Sequence, residues 1–169
     1  GIDIDNVNGT VKIAGNSIDG TGAASENNGI ELLNATGAVI DHNKVKNTGW
    51  NNINVVGSNG TQITGNTLDH SVSASGIGIW QGSSNSTITG NTITNSQFGM
   101  WIGGHSGSLD ISANTVRGMA QDGIYLNNGT GGTLSGNSFD GIGRDGVSLE
   151  NIAAGSHIGG NFFGYGADK

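Results

Sequence analysis

Aromatic side chains are scarce in this sequence, yet most of them fall at equivalent places in one repeating pattern. Trp80, Trp101 and Tyr125 lie at the outward position of three successive strands, and Trp50 and Phe98 precede the same face from neighbouring loops. Flat aromatic faces on a rigid sheet stack against the apolar faces of sugar rings, while flanking amides and carboxylates hydrogen-bond the hydroxyls. The candidate substrate-binding residues are therefore Trp80, Trp101, Tyr125, Trp50 and Asn127. Two plainer roles compete with sugar binding: the rings cover a neighbouring segment, or they shield glycine-rich backbone.

Candidates for catalysis are fewer. His105, in the turn Gly103-Gly104-His105-Ser106-Gly107 beside Trp101, has a side chain that can act as acid or base near neutral pH. An inverting hydrolase needs two carboxylates on one sugar-facing surface, and Asp122 with Asp145 is the pair on offer. β-Elimination or epimerisation at a uronate needs a base near a charge-neutralising cation or metal, and the bases here are scattered. His42 and His70 read as solvated. Lys46 and Arg117 share a register position with Asp19, Asp69 and Asp140, so their signs alternate down the stack, which suits a structural salt ladder. Acidic groups gather at both ends of the outward face, Asp3, Asp5 and Glu31 at one and Asp122, Asp145 and Glu150 at the other. Calcium takes oxygen ligands of this kind, but solvated acids are the plainer reading. No cofactor and no metal site is expected.

What positions these residues is a repeat. The segment Ile88-Thr89-Gly90-Asn91-Thr92-Ile93 has near copies at Ile13–Ile18, Ile40–Val45, Ile63–Leu68, Ile111–Val116, Leu134–Phe139 and Ile158–Phe163. Each copy carries one asparagine: Asn16, Asn43, Asn66, Asn91, Asn114, Asn137 and Asn161, separated by 27, 23, 25, 23, 23 and 24 residues. Self-similarity at that period signals a solenoid. About seven coils of roughly 23–25 residues are expected, each contributing one inward asparagine that hydrogen-bonds its copy in the next coil.

Ahead of each copy stands an apolar-any-apolar triplet with the period of a strand, Ile2–Ile4, Ile30–Leu32, Ile53–Val55, Ile77–Ile79, Met100–Ile102, Ile124–Leu126 and Val147–Leu149. Six of the seven triplets follow a glycine and the remaining one follows Asn52, which points to a left-handed corner before each strand. A coil is thus a strand, a turn, a second short strand, a glycine-asparagine bend, a third short strand and a variable loop, the longest loop running from Asp19 to Asn28. β-Branched residues at the apolar positions, and glycine every few residues, exclude helix.

Composition narrows the partners. Only 33% of residues are hydrophobic and 11% charged, with 33 glycines and no proline. Such a chain would read as disordered but for its register. A net charge of −7 excludes a nucleic-acid partner, which wants a basic stripe. No apolar run approaches the roughly 20 residues that span a bilayer, so membrane insertion is not expected. The absence of cysteine excludes disulfides and thiolate metal sites.

The Ile-x-x-Asn-x-Ile signature and its asparagine ladder resemble those of the right-handed parallel β-helix repeat proteins, the pectin-lyase-like superfamily, over nearly the whole chain. That resemblance implies an all-β fold, a right-handed parallel β-helix solenoid. It also implies a bacterial extracellular or cell-surface setting, since the superfamily spans pectate lyases, polygalacturonases, alginate-modifying enzymes, phage tailspikes and surface adhesins. If an enzyme, the chain would be a polysaccharide lyase, epimerase or glycoside hydrolase. The His105 turn resembles the Gly-His-Gly of polygalacturonases, but their paired-aspartate and Arg-Ile-Lys motifs are missing, so hydrolysis does not carry over.

Residues 1–169 are expected to form one β-helix domain, a module of a longer exported protein. The first strand begins at residue 2 without a cap, and Phe162-Phe163-Gly164-Tyr165 breaks the repeat with extra aromatics that would plug the lumen or receive a partner. The expected partner is a polysaccharide or other glycan, with end-to-end self-association or flanking domains at the open ends. The alternative is a structural adhesin or fibre segment acting as a rigid rod.

Overall fold

The computed structural model describes residues 1–20 and 27–164. Most of the loop between Asp19 and Asn28, and Tyr165 with the plugging role expected of it, lie outside the described residues. Among the described residues, twenty-one short strands form three parallel sheets of seven, and each coil gives one strand to each sheet. The first sheet, which carries the candidate site, contains Ile2–Asp5, Ile30–Leu33, Ile53–Val56, Ser75–Trp80, Phe98–Gly103, Ile124–Asn127 and Val147–Glu150. The second contains the first half of each asparagine repeat, such as Ser84–Thr89, and the third contains the second half, such as Thr92–Thr94. The expected β-helix stands.

Strand formation follows from alternation. In the first sheet Ile30, Leu32, Ile53, Val55, Ile77, Ile79, Met100, Ile102, Ile124 and Leu126 point into the lumen and are almost wholly buried. Ile40, Ile63, Ile88, Ile111 and Leu134 make a second buried column, and Val45, Leu68, Ile93, Val116 and Phe139 a third. Each residue packs on its counterpart in the next coil at the spacing of neighbouring strands, so the core is a set of stacks rather than a central ball. Phe163 continues the third column, its ring stacked 5.1 Å from that of Phe139.

The polar column is the asparagine ladder. Side-chain nitrogen donates to the next coil's side-chain oxygen from Asn16 through Asn43, Asn66, Asn91, Asn114 and Asn137 to Asn161, at 2.9 to 3.0 Å in every step. The backbone N–H of each donor asparagine reaches the same oxygen, and the second amide hydrogen returns to a carbonyl of the preceding coil, as from Asn91 Nδ2 to Ile63 O at 2.8 Å. Buried amides are thereby paired on both sides.

The corner before each first-sheet strand differs from the expectation. Neither its glycines nor Asn52 have positive φ. Glycine is needed there for space: a Cβ on Gly99 would lie 2.5 Å from Val116 Cγ1 and 2.4 Å from Gly123 O. The left-handed residues instead occupy the two bends that flank the second sheet and the one that follows the third. The column Gly15, His42, Gly65, Gly90, Ala113, Gly136 and Gly160, with φ from 51 to 68°, forms the bend just before the ladder asparagines. His42 holds that bend as a largely exposed side chain, with Nδ1 on Asp41 Oδ1.

Charge alternation in the third sheet follows the expected register, with Lys46 between Asp19 and Asp69, and Arg117 beside Asp140. Within this column, among the described residues, only Asp19 and Lys46 close to a salt bridge, at 2.9 Å. Asp69 accepts from Thr94 and Asn95 instead. The Asp19 carboxyl is held below its ordinary range by the hydrogen bond from Asn47 and by Lys46.

Candidate functional site

The outward face of the first sheet brings the expected aromatics together. Trp101 lies directly opposite Tyr125 on the next strand, and their ring centroids are 5.5 Å apart. Trp80 is diagonal to Trp101. Gly78 and Gly103, the other two corners of that rectangle, leave room for the indoles to close to 5.0 Å at an interplanar angle of 62°. A Cβ on Gly103 would already touch the Trp80 ring at 3.4 Å. Phe98, buried at the start of its strand, supports the row from one side, 4.9 Å from Trp101 and 6.0 Å from Tyr125. Edge-to-face and offset pairs at such distances are favourable beyond their buried area.

The polar edges of these rings are fixed. Trp80 Nε1 donates to Asn54 Oδ1 at 2.9 Å, and Trp101 Nε1 donates to Asn127 Oδ1 at 3.4 Å. Tyr125 donates its hydroxyl hydrogen to Glu150 Oε2, and this bond to a carboxylate pushes the phenol pKa up. Asn54 also donates to Glu31 Oε1 at 2.9 Å and accepts from Asn51 Nδ2 at 3.0 Å. A stripe of groups, Glu31, Asn54, Trp80, Trp101, Tyr125 and Glu150, therefore runs along the stack with a carboxylate at each end.

Trp50 stands at the Glu31 end. It is the most exposed ring on this face, 40% accessible, and it borders a pocket of about 300 Å³ lined by Asn28, Glu31, Trp50 and Asn54. Among the described residues, this face therefore holds all five residues expected to bind substrate, three of them in direct ring contact. Asn54 and Asn28 were not singled out by sequence reasoning. Their signal was present, since Asn54 occupies the same outward position as Trp101 and Tyr125.

The three catalytic candidates are placed otherwise. His105 does not stand on the aromatic face. Its side chain turns into the corner between the first and second sheets, where it is 3% exposed, with Nε2 3.2 Å from Ser86 Oγ and Nδ1 without a partner among the described residues. The strand alternation that would keep it outward ends at Gly104, whose φ of 65° reverses the side on which the next residue emerges. Asp122 is fully buried: Oδ2 accepts from Arg144 Nη2 at 2.7 Å and Oδ1 from the Asp145 backbone N–H at 3.1 Å. That is the role Asn28 and Asn51 play one step before their own strands, where Asn28 Oδ1 accepts from Asn51 N and Asn51 Oδ1 from Ser75 N. Asp145 is exposed. Asp122 and Asp145 thus do not present two free carboxylates to one surface, because both oxygens of Asp122 are committed to the next coil.

Burial pushes the His105 imidazole down from 6.5 to about 4. The unfolded chain then binds a proton at a pH where the native state does not, so stability falls as pH drops from 6.5 towards 4. The loss approaches on the order of 2–3 kcal/mol, since each tenfold difference in proton affinity between the two states corresponds to about 1.4 kcal/mol. Urea unfolding at about pH 7 and about pH 4.5 checks this: the wild type should lose about 2 kcal/mol more than His105→Gln does over that interval. Equal losses would show that the buried imidazole is not the group being protonated.

A family model described as a right handed beta helix region matches residues 1–163. No curated protein matches the chain. Among solved structures, two of QnrB1, described as a plasmid-mediated fluoroquinolone resistance protein, are similar at low level. The trypsin-treated form is 13% identical, over 90% of this chain and 91% of that one, with a TM-score of 0.21. The full-length form is 12% identical, over 92% and 93%, with a TM-score of 0.19. Likeness at that level carries no argument about this chain.

Proposed function

The chain belongs to the right-handed β-helix family, and on that scaffold we propose that it is a polysaccharide-binding module whose first sheet holds a glycan lengthwise along the coil stack. The observation that carries this reading is the row Trp80, Trp101, Tyr125, three rings on successive coils with centroids 5.0 and 5.5 Å apart. Strands repeat about every 4.8 Å, close to the length of one sugar residue in an extended chain, so a glycan parallel to the axis meets one ring per residue. The amide and carboxylate partners hold those rings before any ligand arrives, which limits the ordering cost of binding. Glu31 and Glu150 bracket the row, with Asp3 and Asp5 beyond, so the face favours neutral or cationic sugars over uronates. Binding without turnover fits the burial of His105 and the commitment of Asp122. An extracellular or cell-surface setting, where such glycans are met, goes with this reading.

One observation favours the alternative, a rigid structural rod. The rings pack edge to face on each other over Gly78 and Gly103, so part of their surface already serves as cover. Intrinsic fluorescence separates the two, because the chain's three tryptophans, Trp50, Trp80 and Trp101, all belong to this face. Titration with neutral, amine-bearing and uronate polysaccharides should shift the emission for the first two classes and leave it unchanged with uronates. No shift with any glycan would reject binding and leave the rod.

A further inference from the structure

We infer that the pocket beside Trp50 is a single-residue subsite that selects a sugar carrying a free amine, such as a hexosamine without its acetyl group. The inference rests on the glycan-binding reading and names the substrate class within it. Three features converge there.

The first is a presented ring. Trp50 is 40% exposed, yet its backbone is pinned: its N–H donates to Asn27 O at 3.2 Å, and its carbonyl accepts from Thr48 Oγ1 and Ser71 Oγ. A large apolar side chain held open on a fixed backbone, at the rim of a pocket, is arranged for contact with something outside the chain. The pocket of about 300 Å³ accommodates one pyranose ring.

The second is an oriented carboxylate. Glu31 Oε1 accepts from Asn54 Nδ2, and Asn54 is itself fixed by Asn51 and by the Trp80 indole. Both polar atoms of the Asn54 side chain are thus engaged, which fixes the orientation of the amide. Its effect is to hold Glu31, a residue of the pocket lining whose other carboxylate oxygen has no donor among the described residues. A protonated amine supplies the hydrogen and the positive charge that such an oxygen takes, and charge-assisted bonds of this kind are the stronger ones. An N-acetyl group supplies no charge, and a uronate carboxylate meets a like charge.

The third is a donor for a hydroxyl. Asn28 lines the pocket; its Oδ1 accepts the Asn51 backbone N–H at 3.0 Å, which fixes the amide, and its NH₂ group has no acceptor among the described residues. Ring, carboxylate and amide together specify a sugar face, an ammonium and a hydroxyl. The stripe from Trp80 to Tyr125 continues from this subsite along the same face, so the amine-bearing residue is read at one end of a longer chain.

Calorimetric titration of the intact chain at about pH 6 with β-1,4-linked glucosamine oligomers, and with N-acetylated and neutral glucose oligomers of the same length, tests the inference. The glucosamine oligomers should bind about five- to tenfold more tightly than the others, and added salt should shrink that margin. Glu31→Gln should abolish the margin, bringing glucosamine affinity to that for the N-acetylated oligomers measured with the same variant. Trp50→Ala should weaken all three. Asp140→Asn, which makes the same change in net charge on the third sheet, should leave the margin intact. Equal affinity in the wild type, or a margin that survives Glu31→Gln or vanishes equally in Asp140→Asn, overturns the amine subsite but leaves glycan binding standing. No binding of any oligomer overturns both.

Discussion

Replacing Asn91 with alanine should destabilise the chain by about 3–5 kcal/mol, far more than its small change in volume suggests. Asn91 is 1% exposed, and its Oδ1 accepts two bonds, from the Asn66 backbone N–H and from Asn66 Nδ2, both at 2.9 Å. Alanine leaves two buried donors without an acceptor, each costing about 1–3 kcal/mol, and it removes the donation to Asn114 Oδ1 and Ile63 O as well. Water has no route to replace these bonds in a lumen filled by isoleucine columns. Asn16→Ala is the natural comparison. Asn16 donates into the ladder, to Asn43 Oδ1 at 2.9 Å, but its own oxygen serves no donor among the described residues, so its loss should cost about 1 kcal/mol. Urea unfolding of both variants checks the difference. Equal costs at the two positions would show that the ladder is not a chain of mutually dependent bonds.

The second large effect is expected in binding. Trp101 is the centre of the outward row, in ring contact with Trp80, Phe98 and Tyr125. Trp101→Ala opens a gap between two remaining rings, and glycan affinity should fall at least tenfold, which corresponds to about 1.4 kcal/mol. Stability should fall as well, by about 1.5–4.5 kcal/mol, because each of the three aromatic pairs contributes roughly 0.5–1.5 kcal/mol beyond its area. Tyr125→Phe keeps the ring and removes only the bond to Glu150, so its affinity should stay within about threefold of wild type, less than the 1.4 kcal/mol that a tenfold change represents. Calorimetry for affinity and a thermal melt for stability separate the two effects. If Trp101→Ala binds as the wild type does, the row is cover rather than a binding surface.

The repeat was legible because each of its features has a local physical cause. Alternating isoleucines demand a strand with one buried face, and an asparagine at a fixed offset inside that buried face demands a partner that only its own copy can supply. The aromatic row was legible for the same reason: Trp101 and Tyr125 occupy equivalent triplet positions, and period two puts them outside. What failed depended on contacts between coils or on a change of direction. Gly99 looks like a φ > 0 residue in sequence, but the constraint on it is a carbonyl and a valine methyl from distant parts of the chain. His105 looks outward by counting from Trp101, but the left-handed Gly104 between them breaks the count. Asp122 looks like half of a catalytic pair until it is set beside Asn28 and Asn51 at the same place in their coils, where the side-chain oxygen caps the next coil's backbone. That column is visible in the sequence once the residue before each glycine is aligned.

The direction of the bound chain is the centre of the proposed function, and affinity as a function of oligosaccharide length tests it most directly. Glu31 and Glu150 lie on the second and seventh strands of the first sheet, so six coils span the stripe. Calorimetric affinities for a single-linkage glycan series should climb with each added residue until the chain covers those coils and then level off. A constant affinity from the shortest oligomer onward would mean that one pocket does all the binding, and would contradict a glycan lying along the stack.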